Sequence, residues 1–255
     1  MYSKTTPVLD DVAGERTFAY SIIEERQSGI IYVNNNSINN ALFWHYCGYG
    51  LLVGKTFCKE TIAFTLDMLN RKHPLSGAGL VLQVCNDSLN QLLNKDIRND
   101  TEIRTGKRLI FKLNQSQFFR SITPCPPNYG IVRIDDNNYY NIKGNIVPSF
   151  SWASFDEFKK NGVGFCLMDK ESILSIVFSS FVGNGQVDIG IETPPKYRKQ
   201  GFAKQLASTM ISYCLNNNLE PTWGCVKENI SSIKIATSLG FELVDETPYY
   251  YKLQR

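Results

Sequence analysis

The sequence predicts an α/β protein, with a mixed β-sheet flanked by helices (α+β mixed sheet), and three observations carry the prediction. Val187, Ile189 and Ile191 alternate with Asp188, Gly190 and Glu192, the two-residue period of a half-buried strand. Phe202, Leu206 and Met210 recur every four residues, with Ala203, Ala207, Ile211 and Cys214 on the same stripe, so an amphipathic helix begins close to Gly201. Between them Thr193-Pro194-Pro195 ends the strand, because consecutive prolines lack the N–H groups a ladder needs and hold the residues before them extended.

From the N-terminus, Gly29 to Val33 reads as a strand and Asn34 to Asn36 as a turn. Ala41 to Val53 is an apolar run containing Phe43-Trp44-His45-Tyr46 and broken by Gly48 and Gly50. Phe57, Ile62, Phe64, Met68 and Leu69 fit an imperfect helix over Lys55 to Lys72, ended by His73-Pro74. Leu80 to Cys85 is a strand, Asn86 or Asp87 caps a helix carrying Leu89, Leu92 and Leu93, and Arg108 to Leu113 is a further strand. Pro124, Pro126, Pro127 and Asn128 give the best linker signal, dividing the chain into an N-terminal α/β domain, residues 1–125, and a C-terminal domain, residues 126–255. In the second, Tyr129 to Ile134 is a strand and Trp152 to Lys160 a helix. Gly164 to Asp169 and Ser172 to Val182 form a strand pair turning at Asp169-Lys170-Glu171, and Pro221 to Cys225 follows the long helix as a strand. The Asn-rich patches at residues 34–40 and 216–218 read as loops, and no internal sequence repeat is visible.

The segment Arg198-Lys199-Gln200-Gly201-Phe202-Ala203 reads as a phosphate-binding loop. First-turn N–H groups of a helix have no internal partner, and the macrodipole adds roughly half a positive charge there. Gly201 lets a ligand approach the backbone, and small Ala203 keeps the helix face clear. Lys199 and Lys204 add positive potential that suits a pyrophosphate better than a single carboxylate.

The spacing of Thr193, Pro195, Tyr197, Arg198, Gly201 and Ala203 resembles the acyl-CoA signature of the GNAT acetyltransferase superfamily. The flanks match as well: the strand at Pro221 to Cys225, then Asn229 and Ser232, then Ser238-Leu239-Gly240-Phe241 resemble the family's asparagine and closing Gly-Phe pattern. The resemblance covers the C-terminal half. Within the superfamily, Trp152-Ala153-Ser154-Phe155, Phe158, Gly162 and Gly164-Phe165-Cys166 look like the bacterial branch that includes the zwittermicin A resistance protein.

The resemblance implies an N-acetyltransferase in which the acceptor amine attacks the acetyl-CoA thioester directly, with protein groups positioning it, taking its proton and protonating the thiolate. It implies that backbone near Ile191 and Thr193 holds the pantetheine arm with Asn229 beside it. Arg198, Lys199, Gln200, Gly201, Phe202, Ala203 and Lys204 would meet the pyrophosphate. Asp188 and Glu192 are the candidate bases, although alternate carboxylates on a strand are usually a solvated face; Glu228 is a weaker third. Many relatives carry a tyrosine four residues before the closing glycine, where this chain has Ala236. Ser232 or Cys225 is left as proton donor to the thiolate, against the readings of helix cap and core residue.

Composition narrows the classes. A net charge of +3 with scattered basic residues gives no nucleic-acid-binding face. No apolar run approaches a membrane span, and Met1 to Asp11 lacks a signal pattern, so a cytoplasmic protein is expected. Seven cysteines without a Cys-x-x-Cys motif point to reduced, buried thiols, and two histidines to no metal site. The Phe43 to Tyr46 run, His45 and Trp223 read as core, and Cys47, Cys58 and Cys85 have no acid/base partner at a suggestive spacing. The leading expectation is acetylation of a small primary amine, an antibiotic or metabolite, with the N-terminal domain shaping the acceptor pocket or a homodimer interface. The alternatives are a protein or peptide N-acetyltransferase and a non-catalytic acyl-CoA-binding regulatory module.

Overall fold

The computed structural model of the chain describes residues 9, 12, 14–33, 40–54, 59–77, 80–84, 90–91, 93–94, 102–121 and 129–252. In chain order the elements are α1 (Thr17–Ile23), β1 (Gly29–Val33), β2 (Asn40–His45), β3 (Tyr49–Gly54), α2 (Lys59–Leu69), β4 (Val81–Val84), β5 (Ile103–Leu113) and α3 (Gln115–Ser121). They continue with β6 (Gly130–Arg133), α4 (Asp136–Tyr139), α5 (Pro148–Ser151), α6 (Phe155–Asn161), β7 (Gly164–Asp169), β8 (Ser172–Gly183) and β9 (Gln186–Glu192). The last are α7 (Phe202–Asn216), β10 (Glu220–Val226), α8 (Ile230–Ser238) and β11 (Phe241–Lys252).

The eleven described strands form one mixed sheet in the order β1-β2-β3-β4-β11-β5-β10-β9-β8-β7-β6, in which β1–β5 and β7–β11 mirror one another and β6 is an additional edge strand. From one edge, β1, β2 and β3 pair antiparallel, β3 runs parallel to β4 after the crossover through α2, and β4 meets β11. From the other, the edge strand β6 and then β7, β8 and β9 pair antiparallel, β9 runs parallel to β10 after the crossover through α7, and β10 meets β5. At the centre β5 and β11 pair antiparallel from Leu113↔Phe241 to Ile103↔Lys252. The two halves therefore repeat one succession of strands, and each lends its last strand to the other. The repeat lies in topology, which apolar periodicity satisfies with many different residues.

The proline-rich run near residue 125 lies outside the described residues. On either side of it the sheet is continuous, since β5 is bonded on both edges to strands that come after residue 126. β5 also starts at Ile103 rather than Arg108, because Tyr249 to Lys252 of β11 cover those extra residues.

Several local expectations shift. The helix expected over Trp152 to Lys160 starts at Phe155, where the Ser154 side chain accepts a hydrogen bond from the Glu157 N–H, and Trp152 instead closes α5. Gly50 lies inside β3 instead of breaking it, and the space its missing Cβ leaves is filled by the Trp44 ring. α2 spans Lys59–Leu69 only, and Asn216 closes α7, so the second Asn-rich patch begins in a helix. The Asn34 to Asn36 turn and the Asn86 or Asp87 cap lie outside the described residues.

α7 covers one face of the C-terminal strands, burying Phe202, Leu206, Ala207, Met210, Ile211 and Cys214. α1 packs on the other face, against β8 and β9 and also against β1 and β2. Six strands separate β2 from β8 in the sheet, yet the rings of His45 and Tyr49 lie 4.9 and 5.6 Å from that of Phe181. Accumulated strand twist curls the sheet into a trough around α1. Phe18 of α1 fills it between Tyr49 and Phe181, and burying such a ring is worth roughly 1.5–3 kcal/mol.

Candidate functional site

The site begins where two parallel strands part. The register between β9 and β10 ends at Asp188↔Thr222, although β9 runs on to Glu192 and β10 to Val226. Beyond that pair β9 is bonded only to β8, and β10 only to β5. A V-shaped gap results. The edge of β9 from Ile189 to Ile191 faces it without a partner strand, so its backbone can hydrogen-bond an extended amide chain.

Past the end of β9 stands the anion site. Gly201 is the N-cap of α7 at φ +85°, in the left-handed region that favours glycine, and a Cβ placed there would meet nothing within 4 Å. No side chain caps the helix, so the first-turn N–H groups of Phe202, Ala203 and Lys204 are available to an anion. Lys199 also has a positive φ, which turns the loop outward, and Lys199 and Gln200 are exposed. The Phe202 ring is buried in the core against Tyr129, leaving its backbone as the binding group. Arg198 departs from expectation: its Nε donates to the Thr193 carbonyl at 2.8 Å and its Nη2 meets Glu192 Oε1 at 3.3 Å. Its guanidinium braces the loop. Thr193 is tied as well, its hydroxyl 2.8 Å from that of Ser175. A cleft of about 350 Å³ lies beside the loop, lined by Ile173, Ile176, Glu192, Pro194 and Tyr197 among others.

The apex of the V is polar and buried. Asp188 is 4% exposed, which overturns the reading of a solvated face, because the curled sheet and α1 cover the side of β9 that alternation assigns to water. Glu15, just before α1, is 5% exposed and pairs with Arg108 of β5, whose Nε donates to Glu15 Oε2 at 2.5 Å while its Nη2 donates to the Gly224 carbonyl at 3.3 Å. Asp188 feels the Glu15 charge, and among the described residues neither Asp188 Oδ1 nor Glu15 Oε1 has a hydrogen-bond partner. Burial first, then the Glu15 charge, pushes the Asp188 carboxyl well above the usual carboxylate range, with Arg108 pulling less strongly the other way. Burial opposes the Arg108 charge, but Glu15, Tyr49 and Asp188 together outweigh it and keep the guanidinium protonated. Among the described residues the Thr222 hydroxyl, level with Asp188, and the Gln83 amide nitrogen also lack partners.

The remaining candidates separate. The Glu192 carboxylate is engaged by Arg198 and by the Ile146 N–H at 3.2 Å, which leaves Asp188 as the carboxylate at the apex. Asn229 caps α8, its Oδ1 accepting from the Ser232 N–H at 3.1 Å. The Ser232 hydroxyl accepts from the Trp223 indole at 2.9 Å, and Cys225 is buried in β10, where burial raises its thiol. Trp223 is core, as expected, and Ala236 is the fully buried residue of α8. Glu228 is exposed beyond the end of β10. The structure does bring one unexpected pair together: Cys47 Sγ lies 3.2 Å from His45 Nδ1. Burial lowers the imidazole to about 3 and raises the thiol, so the pair stays neutral and is no activated nucleophile.

Glu15, Gln83 and Arg108 went unnoticed in the sequence. They stand 68 to 93 residues from one another's partners, with no local spacing to join them. No cluster of His, Cys, Asp or Glu suited to a metal ion is found among the described residues, and no described helix is long and apolar enough to cross a membrane.

Known proteins match this arrangement over nearly the whole chain. The GNAT acetyltransferase family model matches residues 8–250, the N-terminal half included. A Bacillus subtilis protein, the uncharacterized N-acetyltransferase YdfB, is 25% identical over 253 residues, covering 98% of this chain and 95% of that protein. A GCN5-related N-acetyltransferase-like protein from Streptococcus suis superposes with a TM-score of 0.78 at 21% identity, covering 99% of this chain and 98% of that one. A tandem GNAT protein from the clavulanic acid biosynthesis pathway gives 0.63 at 11% identity, covering 100% and 94%.

Proposed function

The chain belongs to the GNAT acetyltransferase family, and on that premise we propose that it moves an acetyl group from acetyl-CoA to the primary amine of a small molecule by direct attack in a ternary complex. The observation that carries this is the parting of β9 and β10 at Asp188↔Thr222 with the uncapped end of α7 beyond the end of β9.

The residues fit the donor. The free edge from Ile189 to Ile191 would hold the pantetheine arm, and the backbone of Gly201, Phe202, Ala203 and Lys204 the pyrophosphate, with Lys199 adding charge from the rim. Bound there, acetyl-CoA supplies a thioester: the amine nitrogen bonds to its carbonyl carbon, the C–S bond breaks and CoA leaves as the thiol.

The chain's own groups handle the protons. An acceptor arrives mostly as an ammonium and must lose a proton before its lone pair can attack. Asp188, at the apex, takes it; a carboxylate of raised proton affinity is a better base at neutral pH than an ordinary one. Ser232 would protonate the departing thiolate, with solvent sharing the role since a thiol of pKa about 8.5 leaves readily.

A small acceptor is favoured over a peptide because α1 and the N-terminal strands close the trough over the apex, where a peptide would need an open groove. The likeness of Trp152 to Cys166 to the zwittermicin A branch favours an antibiotic or related metabolite. The buried free thiols Cys47, Cys166, Cys214 and Cys225 suit the reducing cytoplasm.

Calorimetric titration with acetyl-CoA, followed by thiol release against amino-sugar, peptide-antibiotic and simple aryl-alkyl amines, tests the reading. Binding with turnover on one amine class is the expected result. Binding without turnover on any would favour a regulatory acyl-CoA module, and absence of binding would refute the site.

A further inference from the structure

Where β9 and β10 part, the Gly224 carbonyl loses the donor that a continued sheet would give it. The Glu220 N–H donates to the Gly185 carbonyl at 2.9 Å, so in this parallel pair Glu220, Thr222 and Gly224 turn their main-chain groups toward β9, while Val187, Ile189 and Ile191 turn theirs toward β10. The bond from the Lys227 N–H to the Lys107 carbonyl on the other edge agrees. In the antiparallel register of β10 with β5 it makes Gly224↔Ile110 a pair that exchanges no hydrogen bonds. Carried two residues past Asp188↔Thr222, the parallel register would set Gly224 opposite Gly190 and give its carbonyl the Ile191 N–H. The strands part first.

That carbonyl accepts from Arg108 Nη2 instead, at 3.3 Å. Arg108 reaches it from β5 across the face of β10, and the missing side chain of Gly224 makes the room: a Cβ there would stand 3.0 Å from Nη2 and 3.2 Å from Nε. The N-terminal half holds the guanidinium in place. Glu15, just before α1, accepts from its Nε, and the Tyr49 ring of β3 has its centre 5.7 Å from the guanidinium carbon. A buried ion pair of this kind gains little net stability, because removing two charges from water costs about as much as their attraction returns. Its use is geometric: the planar fork grips a carboxylate with one N–H and a carbonyl with another.

Resting on the transferase reading, we propose that Arg108 is a positioning residue for the donor: by taking the Gly224 carbonyl it keeps β10 from closing on β9 and leaves the Ile191 N–H for the pantetheine arm. Glu15 and Tyr49 aim the guanidinium, so the N-terminal half sets the gap in which the C-terminal half binds acetyl-CoA. Without the fork, β10 closes on β9, and the Ile191 N–H bonds the Gly224 carbonyl in place of the ligand.

Residue-resolved amide hydrogen exchange by NMR on the full chain, with acetyl-CoA binding measured by calorimetry on the same samples, tests this. In the unliganded wild type the Ile191 N–H is expected to exchange at least about 10-fold faster than that of Gly190, which turns toward β8, and to slow when acetyl-CoA is added. Arg108→Lys keeps a cation for Glu15 but loses the fork. The double variant Glu15→Gln with Arg108→Met removes both charges together, so that no buried charge is left unpaired. Each is expected to slow Ile191 exchange in the unliganded chain about 10-fold and to weaken acetyl-CoA binding about 10-fold. A purely structural Arg108 predicts the opposite sign, faster exchange along β9 as stability falls. Unchanged or faster exchange at Ile191 in the folded variants, or an Ile191 N–H as protected as that of Gly190 in the unliganded wild type, would overturn the proposal while the donor site stands. A wild type that does not bind acetyl-CoA would instead refute the transferase reading. If neither variant folds, the wild-type comparison still decides whether the Ile191 N–H is left open for the donor.

Discussion

Asp188 occupies a strand position that alternation gives to water, and the curl of the sheet takes the water away. Its unfolded carboxyl ionises near ~3.9, whereas in the folded chain it holds its proton to higher pH. Between those two values the unfolded state binds fewer protons, so Asp188 makes stability fall as pH rises. Asp188→Asn, which mimics the protonated form, should raise the melting temperature more at pH 8 than at pH 4; an equal gain at both would contradict the raised affinity. The same substitution should cut turnover by about 10² to 10⁴ and leave acetyl-CoA affinity unchanged, as read by single-turnover kinetics beside calorimetry.

Gly201 gives the sharpest test of the donor site. Gly201→Glu should abolish acetyl-CoA binding, because its side chain enters open space that the pyrophosphate would fill and brings a negative charge. Gly201→Ala separates charge from backbone: at φ +85° it costs roughly 1–2 kcal/mol of stability but should keep most of the affinity. Equal losses in the two would show that backbone conformation, not anion binding, makes the glycine necessary.

At the scale of elements, α7 and α8 differ in a way that bears on the site. α8 has its cap in Asn229, so Asn229→Ala should cost about 1 kcal/mol in denaturant unfolding with little change in donor affinity. A large affinity loss at unchanged stability would return Asn229 to the pantetheine arm. α7 has no side-chain cap, and its first-turn N–H groups are the binding groups. Lys199→Ala should therefore weaken acetyl-CoA binding only severalfold, and complete loss would show that side-chain charge carries the site.

For the whole molecule, the exchanged strands β5 and β11 make the two halves one cooperative unit. β4 needs β11 for one edge, and β10 needs β5. Amide hydrogen exchange should accordingly give β4 and β10 the same opening free energy. Protection of β10 that survives when β4 has exchanged would mean that the halves unfold separately.

Local physics was enough for the elements beside the donor site. The alternation from Val187 to Ile191, the proline stop, Gly201 and the stripe from Phe202 to Cys214 each act within a few residues, so β9, the loop and α7 stand where the sequence puts them. The Arg198 brace and the Asn229 cap needed side-chain partners that spacing leaves open. The apex lay beyond sequence altogether. Glu15 and Arg108 are 93 residues apart, and Asp188 comes from the other half of the chain. They meet because twist accumulated over the sheet folds β2 and β3 back over β8, and because each half completes its sheet with the other's last strand. Periodicity tells a strand which of its faces is apolar. Only the closed trough determines that the polar face is buried as well, and burial is what turns a surface carboxylate into a proton-holding one.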